Sequence, residues 1–176
     1  MINVTELEKF IRNVPDFPVK GIQFKDITTL IDKGEPFKQS VDLLYEPFRD
    51  RQIDKIVGIE ARGFIFGAAL SYKLGIGFVP VRKPGKLPAG SITEEYQLEY
   101  GTDSVQMHRD NIQPGEKILL VDDLLATGGT AAACCRLIEK ADGEIVGISF
   151  LIELTELRGR KLLEPYEVHA AIQYKI

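Results

Sequence analysis

No apolar run of roughly 18 residues or more occurs in this chain, which excludes a membrane-spanning helix read from sequence. The opening segment MINVTELEKFIRNV is charged and amphipathic and lacks the apolar centre of a secretory signal. Cysteine is nearly absent. The 2 present, Cys134 and Cys135, are adjacent, so they cannot tie together distant parts of a fold and do not have CxxC metal or redox spacing. They read as small buried residues of a helix. Histidine is as scarce: His108 and His169 stand far apart, without metal-ligand spacing, and no Ser/His/Asp set accompanies them. A basic excess is missing too, with 22 Lys and Arg against 26 Asp and Glu and a net charge of −4. That balance excludes a primary nucleic-acid or anionic-membrane binder, although local basic clusters remain suited to a small phosphorylated ligand. Neither the P-loop pattern GxxxxGKS/T nor the dinucleotide pattern GxGxxG occurs. Internal repeats, low-complexity tracts and inter-domain linkers are likewise lacking. The expectation is a cytoplasmic protein without a nucleic-acid or membrane partner.

What is present is ordinary in bulk and specific in detail. A chain of 176 residues, 44% apolar and 27% charged, is long enough for one domain with a single sizeable core. Thr5-Glu6-Leu7-Glu8 fits a capping box, and Leu7, Phe10, Ile11 and Val14 keep helical spacing, so a first helix is expected until Pro15 and Pro18 end it. The stretch PDFPVKGIQFKD reads as extended with turns, and a second helix is expected from Pro36 to about Arg49. From there the pattern becomes regular. Strands are predicted over 55–59, 77–81, 117–121 and 144–152, and helices over 64–74 and 129–141. Strands alternating with helices of about ten residues predict an α/β fold: a central, mostly parallel twisted sheet flanked by helices. One interval, 82–114, breaks the alternation. It begins RKPGKLPAG and continues with two stretches, 92–96 and 102–107, that can pair as a β-hairpin. Connections of that length usually form lids or binding loops.

In an open parallel sheet, ligands bind outside the carboxyl ends of the strands. Three predicted strand ends carry conspicuous chemistry: GIEARG at 58–63, RKPGK at 82–86, and VDDLLATGGT at 121–130. In the last, Ala126, Thr127, Gly128, Gly129 and Thr130 precede a helix whose first N–H groups have no intrahelical partner. Together with the helix dipole and two hydroxyls, they form a cradle for a phosphate. Glycine there lets the backbone approach an anion closely. Alone, TGGT fits a plain turn and helix cap equally well. Joined to Asp122 and Asp123 it suggests a sugar phosphate, with the acids accepting hydrogen bonds from vicinal ribose hydroxyls and the loop holding the 5′-phosphate.

VDDLLATGGT resembles the phosphoribosyl-pyrophosphate signature of type I phosphoribosyltransferases, and its wording is similar to the adenine-specific branch. PDFPVKGIQFKDIT, GIEARGFIFGAALS, VRKPGKLP, YQLEYGTDS and ISFLIELTELRGRKLL follow in the order and spacing of that branch, so the likeness spans nearly the whole chain. The resemblance implies transfer of ribose 5-phosphate from phosphoribosyl pyrophosphate to adenine N9, giving AMP and pyrophosphate. It also implies a single domain over 1–176, with a base-binding hood over about 1–35 and a flexible hairpin lid over about 82–108. Mg²⁺ is the implied cofactor, held mainly through substrate and water, and a homodimer the implied assembly. Two alternatives share the fold: an enzyme acting on a 6-oxopurine, and a non-catalytic sensor of purines or phosphoribosyl pyrophosphate. Against the sensor, the chain has no added DNA-binding region.

The resemblance assigns roles residue by residue. Asp122 and Asp123 hold the ribose hydroxyls, and 126–130 hold the 5′-phosphate. Arg62, Arg82, Lys83 and Lys86 contact pyrophosphate, Arg62 also serving catalysis, and some of them act across the dimer. Glu99 is the general acid/base at adenine N7, and Tyr100 closes over the site. Phe24 and Leu154 sandwich the base, while backbone groups at Gln23 and Lys25 read its edge, rejecting 6-oxopurines by leaving buried groups unpaired. Gln23 departs from the family, where an apolar residue is more usual. A cis peptide between Glu60 and Ala61 is also implied. From the residues alone, Phe24 fits plain core packing equally well.

Overall fold

The computed structural model describes residues 4–97 and 101–175. Its first unit is small. Helix α1 (Val4–Glu8) leads into strand β1 (Arg12–Pro15), which pairs antiparallel with β2 (Gln23–Asp26). The expected first helix is therefore cut short. Residues 12–15 satisfy their backbone groups across a strand pair instead, with Val14 opposite Phe24 and Arg12 donating from Nε to Asp26 at 3.0 Å. Helical spacing at Ile11 and Val14 is overridden by this tertiary pairing.

Helices α2 (Thr28–Ile31) and α3 (Gly34–Tyr45) follow, and a 3₁₀ turn at Glu46–Phe48 extends α3 close to the predicted end. Next come β3 (Lys55–Ile59), α4 (Arg62–Leu74) and β4 (Gly77–Val81), in close agreement with the sequence reading. The 82–114 interval folds as a hairpin of β5 (Ser91–Gln97) and β6 (Thr102–His108). Its stem packs into the body of the protein, since Tyr96, Val105 and Met107 are buried with the main core. Strand β7 (Lys117–Leu125), helix α5 (Gly129–Lys140) and strand β8 (Glu144–Leu154) complete the predicted pattern, although β7 runs four residues past its expected end. Two 3₁₀ turns, Thr155–Leu157 and Gly159–Leu163, lead to β9 (Val168–Tyr174), a strand the sequence reading did not include.

The central sheet has five strands in the order β4-β3-β7-β8-β9, every neighbour parallel. Both faces are covered, so β7 is apolar on both sides, as a parallel strand must be. Ile118 and Leu120 pack on the side of α5 and the hairpin, and Leu119 and Val121 on the side of α3 and α4. Among the described residues, no helix is long and apolar enough to cross a membrane.

Candidate active site

The strand order reverses between β3 and β7. From β3 the chain proceeds outward to β4, and from β7 it proceeds the other way to β8. A crevice opens where neighbouring strands send their connections to opposite sides, and ligands collect there. The pairing of β3 with β7 stops at Gly58 opposite Val121, whereas β7 continues beside β8 to Leu125 opposite Glu153. Asp122 and Asp123 therefore stand on an overhang, supported on one edge and open on the other. This is how a buried strand comes to carry two carboxylates.

Successive strand residues face opposite ways. Asp123, only 5% exposed, turns toward Arg62 at the start of α4, where Nε lies 2.8 Å from Oδ2. The N–H is not aimed along that line, so this buried oxygen has no hydrogen-bond donor among the described residues. Asp122 lines the cleft at the start of α5 and also reaches the first turn of α4. Its Oδ1 accepts the Asp123 N–H at 2.9 Å and lies so near Gly63 that a Cβ there would come within 2.6 Å. Burial pushes the Asp122 carboxyl well above the usual range, and the Asp123 charge adds to that. Burial raises Asp123 as well, with the Arg62 cation acting in opposition.

Beyond the overhang, Ala126, Thr127, Gly128, Gly129 and Thr130 join Asp122 and Phe150 around a cleft of about 90 Å³. Gly128 adopts φ 86°, and a Cβ on it would meet the Gly159 carbonyl oxygen at 2.5 Å. Helix α5 starts at Gly129, so the N–H groups of its first turn point out of the helix, where the dipole favours an anion. The hairpin closes the other side, with the Tyr96 ring 3.3 Å from where a Gly129 Cβ would be.

The basic residues gather around carboxylates. Glu60 ends the β3 connection and forms a cis peptide with Ala61, as the family resemblance implies. Its nearly buried carboxylate accepts from Lys86 Nζ, from the Lys83 backbone N–H at 3.0 Å and from Arg82 Nε at 3.4 Å. Burial pushes the Glu60 carboxyl up, but these donors outweigh it and hold it at about 2. Lys83 Nζ reaches Asp103 and the Tyr96 hydroxyl, the latter at 2.6 Å. Arg62 thus stands just past the end of β3, and Arg82, Lys83 and Lys86 just past the end of β4, each with a carboxylate partner.

Arg62 also joins the crevice to the β1–β2 unit. Its Nη1 donates to the Lys25 carbonyl at 3.2 Å, and its guanidinium lies 5.0 Å from the Phe24 ring centre. Phe24 is half-buried and packs edge-on against Phe17, 5.1 Å away at 72°. It is therefore not plain core. Gln23 accepts from Asn13 Nδ2 at 2.6 Å, which ties its side chain within the hairpin. Lys25 Nζ sits 4.1 Å over the Tyr174 ring, and Tyr174 is the register partner of Leu154 at the end of β8. Glu99 and Tyr100 lie outside the described residues.

Residues 28–174 match the family described as phosphoribosyl transferase domain. Over 169 residues the chain is 57% identical to an adenine phosphoribosyltransferase of Chloroflexus aurantiacus, covering 96% of this chain and 98% of that protein. The chain belongs to the adenine phosphoribosyltransferase family. A second relative carrying that name, from Thermotoga maritima, is 56% identical over 96% of this chain and 98% of its own. Among solved structures, the adenine phosphoribosyltransferase of Rhodothermus marinus superposes with a TM-score of 0.94 at 53% identity, over 97% of this chain and 98% of that one. The Saccharomyces cerevisiae enzyme, solved with an imino-altritol bisphosphate and adenine, gives 0.91 at 38% identity, over 96% and 97%.

Within this adenine phosphoribosyltransferase fold, three charged residues near the strand ends carry no binding role in the sequence reading. Glu60 enters it only through the cis peptide, although its place at a strand end marks it as well as its basic neighbours. Glu153 and Arg160 were not singled out, although ISFLIELTELRGRKLL contains both. Their pairing depends on a turn that no periodicity reveals.

Proposed function

We propose that this chain transfers ribose 5-phosphate from phosphoribosyl pyrophosphate to N9 of adenine, releasing AMP and pyrophosphate in a purine salvage reaction. The observation that carries this reading is the overhang of β7, where two carboxylates and a backbone anion cradle follow one another at the strand-order reversal. Asp122 and Asp123 accept the ribose hydroxyls and offset positive charge as C1′ gains oxocarbenium character. Asp123 Oδ2, which faces Arg62 but has no hydrogen-bond donor among the described residues, supports that role. Ala126 to Thr130 bind the 5′-phosphate. Arg62, Arg82, Lys83 and Lys86 receive pyrophosphate, which then competes with Glu60 and Asp103 for the same cations.

The C1′–oxygen bond to pyrophosphate breaks as the C1′–N9 bond forms. In the N7–H tautomer N9 carries a free lone pair; as it attacks C1′, Glu99 takes the N7 proton and leaves the product base neutral, and Tyr100 closes over the reactants. Phe24 and Leu154 hold the base between them, and backbone groups at Gln23 and Lys25 read its edge. The yeast relative solved with adenine supports a base site in this fold.

The donor set fits Mg²⁺ only in part. Among the described residues there is no cluster of three or more His, Cys, Asp or Glu able to hold a metal by themselves. The carboxylates of Asp122 and Asp123 are hard oxygen donors suited to Mg²⁺, most of whose ligands would come from substrate and water. Bound there, the ion would neutralise diphosphate charge. We assign a homodimer and a cytoplasmic location on the family resemblance.

Adenine, phosphoribosyl pyrophosphate and Mg²⁺ mixed with the protein should yield AMP and pyrophosphate one for one; a protein that forms neither contradicts the reading. Glu99→Ala should lower kcat by about 100-fold, within the range for a general acid/base, with little change in phosphoribosyl pyrophosphate affinity. Unchanged turnover would remove Glu99 from its role.

A further inference from the structure

The phosphate cradle follows a strand end that is supported on one edge alone, yet a set of backbone N–H groups selects a phosphate only if they are held convergent. The segment that holds them is the turn after β8. Glu153, 4% exposed, is gripped by Arg160, whose Nε lies 2.7 Å from Oε1 and whose Nη2 lies 2.7 Å from Oε2. Gln173 Nε2 adds a third donor at 3.2 Å, and Arg160 Nη1 donates to the Val168 carbonyl at 2.5 Å. The ion pair closes residues 153–160 into a tight loop that passes through Arg158 at φ 53°.

Gly159, buried beside Arg160, is the point where this loop touches the cradle. A Cβ on Gly159 would overlap the Ala126 carbonyl oxygen and lie 3.0 Å from the Gly128 nitrogen. Reciprocally, a Cβ on Gly128 would lie 2.5 Å from the Gly159 carbonyl oxygen. Two backbones meet with no side chain between them.

We propose that the Glu153–Arg160 ion pair is a positioning device for the 5′-phosphate, pressing the Gly159 backbone against residues 126–128 and fixing the direction of their N–H groups. This rests on the functional reading above and extends it to residues that need not touch substrate. The same loop begins at Leu154, so one turn braces the phosphate cradle from a residue next to the base site. An arginine fork is required, because a lysine keeps the charge but cannot grip both carboxylate oxygens in one plane.

The test compares AMP with adenosine, which differ only in the 5′-phosphate, by calorimetric binding to the full chain and to Arg160→Lys, Glu153→Gln and Gly159→Ala. Each variant should bind AMP at least tenfold more weakly while its adenosine affinity stays within twofold of the parent. KM for phosphoribosyl pyrophosphate should rise by a similar factor with KM for adenine unchanged. Equal weakening of both ligands, or of neither, overturns the proposal. If Gly159→Ala does not fold, Arg160→Lys and Glu153→Gln decide the matter alone. Failure of the functional reading shows in the parent protein as absent AMP synthesis, whereas failure of this proposal shows only in the AMP-to-adenosine ratio of the variants.

Discussion

Asp122 and Asp123 are expensive residues, and their surroundings show what offsets them. Arg62 faces one, the Asp123 backbone N–H serves the other, and burial pushes both carboxyls upward. A carboxyl raised in the folded state stabilises the fold fully below its unfolded value of about 3.8 and loses that contribution as pH rises through the folded value. At neutral pH Asp122 therefore costs stability. Asp122→Asn, whose Oδ1 can still accept the backbone bond, should raise Tm at pH 7, by roughly 2–4 °C for each kcal/mol relieved. The same change should lower kcat/KM by about 100-fold or more, the scale of losing one charge-stabilising group. A calorimetric scan and a rate measurement check both halves. Glu60 has the opposite sign. Its donors hold it at about 2, so its contribution is present above 4.5 and fades as pH falls toward 2. Tm followed across that interval should fall less steeply in Glu60→Gln than in the parent, and identical slopes would show that Glu60 does not anchor the basic loop.

At the scale of elements, the hairpin and the overhang matter most. Glu94 on β5 is clamped by Arg136 Nε at 2.8 Å and by Lys140, both from α5, and Arg136 also donates to the Glu95 carbonyl at 3.0 Å. The stem of the expected lid is thus fastened to the helix that begins at the phosphate cradle. Removing the clamp with Arg136→Ala should cost about 1 kcal/mol locally, read as roughly fivefold faster amide exchange over 92–96; unchanged protection would mean apolar packing alone holds the stem. Much of this layer was legible in the sequence. Strands β3, β4, β5, β6, β7 and β8 and helices α4 and α5 follow from apolar runs, glycine stops and regular spacing. What was not legible depended on partners distant in the chain. Residues 12–15 carry helical spacing but pair with β2, and β9, containing His169, Ala170, Ala171 and Gln173, has no distinct strand pattern until β8 aligns it. The extension of β7 through Asp122 and Asp123 was hidden for the same reason, because only β8 supports it.

For the molecule as a whole, a chain with net charge −4 still gathers cations locally, where the proposed reading puts a highly anionic substrate. Arg62, Arg82, Lys83 and Lys86 sit at adjoining strand ends, each held by a carboxylate that keeps it in place. The residues that gather at the crevice were legible wherever a motif joined chemistry to a strand end, as in GIEARG and VDDLLATGGT. They were not where a buried pair such as Glu153 and Arg160 acts through backbone contact. On the proposed reading the sugar phosphate and the base are recognised by different parts of the fold, the first by the β7 overhang and the second by β2 and the end of β8. The most direct measurement is turnover with phosphoribosyl pyrophosphate and Mg²⁺ against adenine, hypoxanthine, guanine and xanthine in parallel. AMP should form from adenine at a kcat/KM at least about 100-fold above any 6-oxopurine, the scale set by buried groups left unpaired. Faster turnover of an oxopurine, or no AMP from adenine, would contradict it.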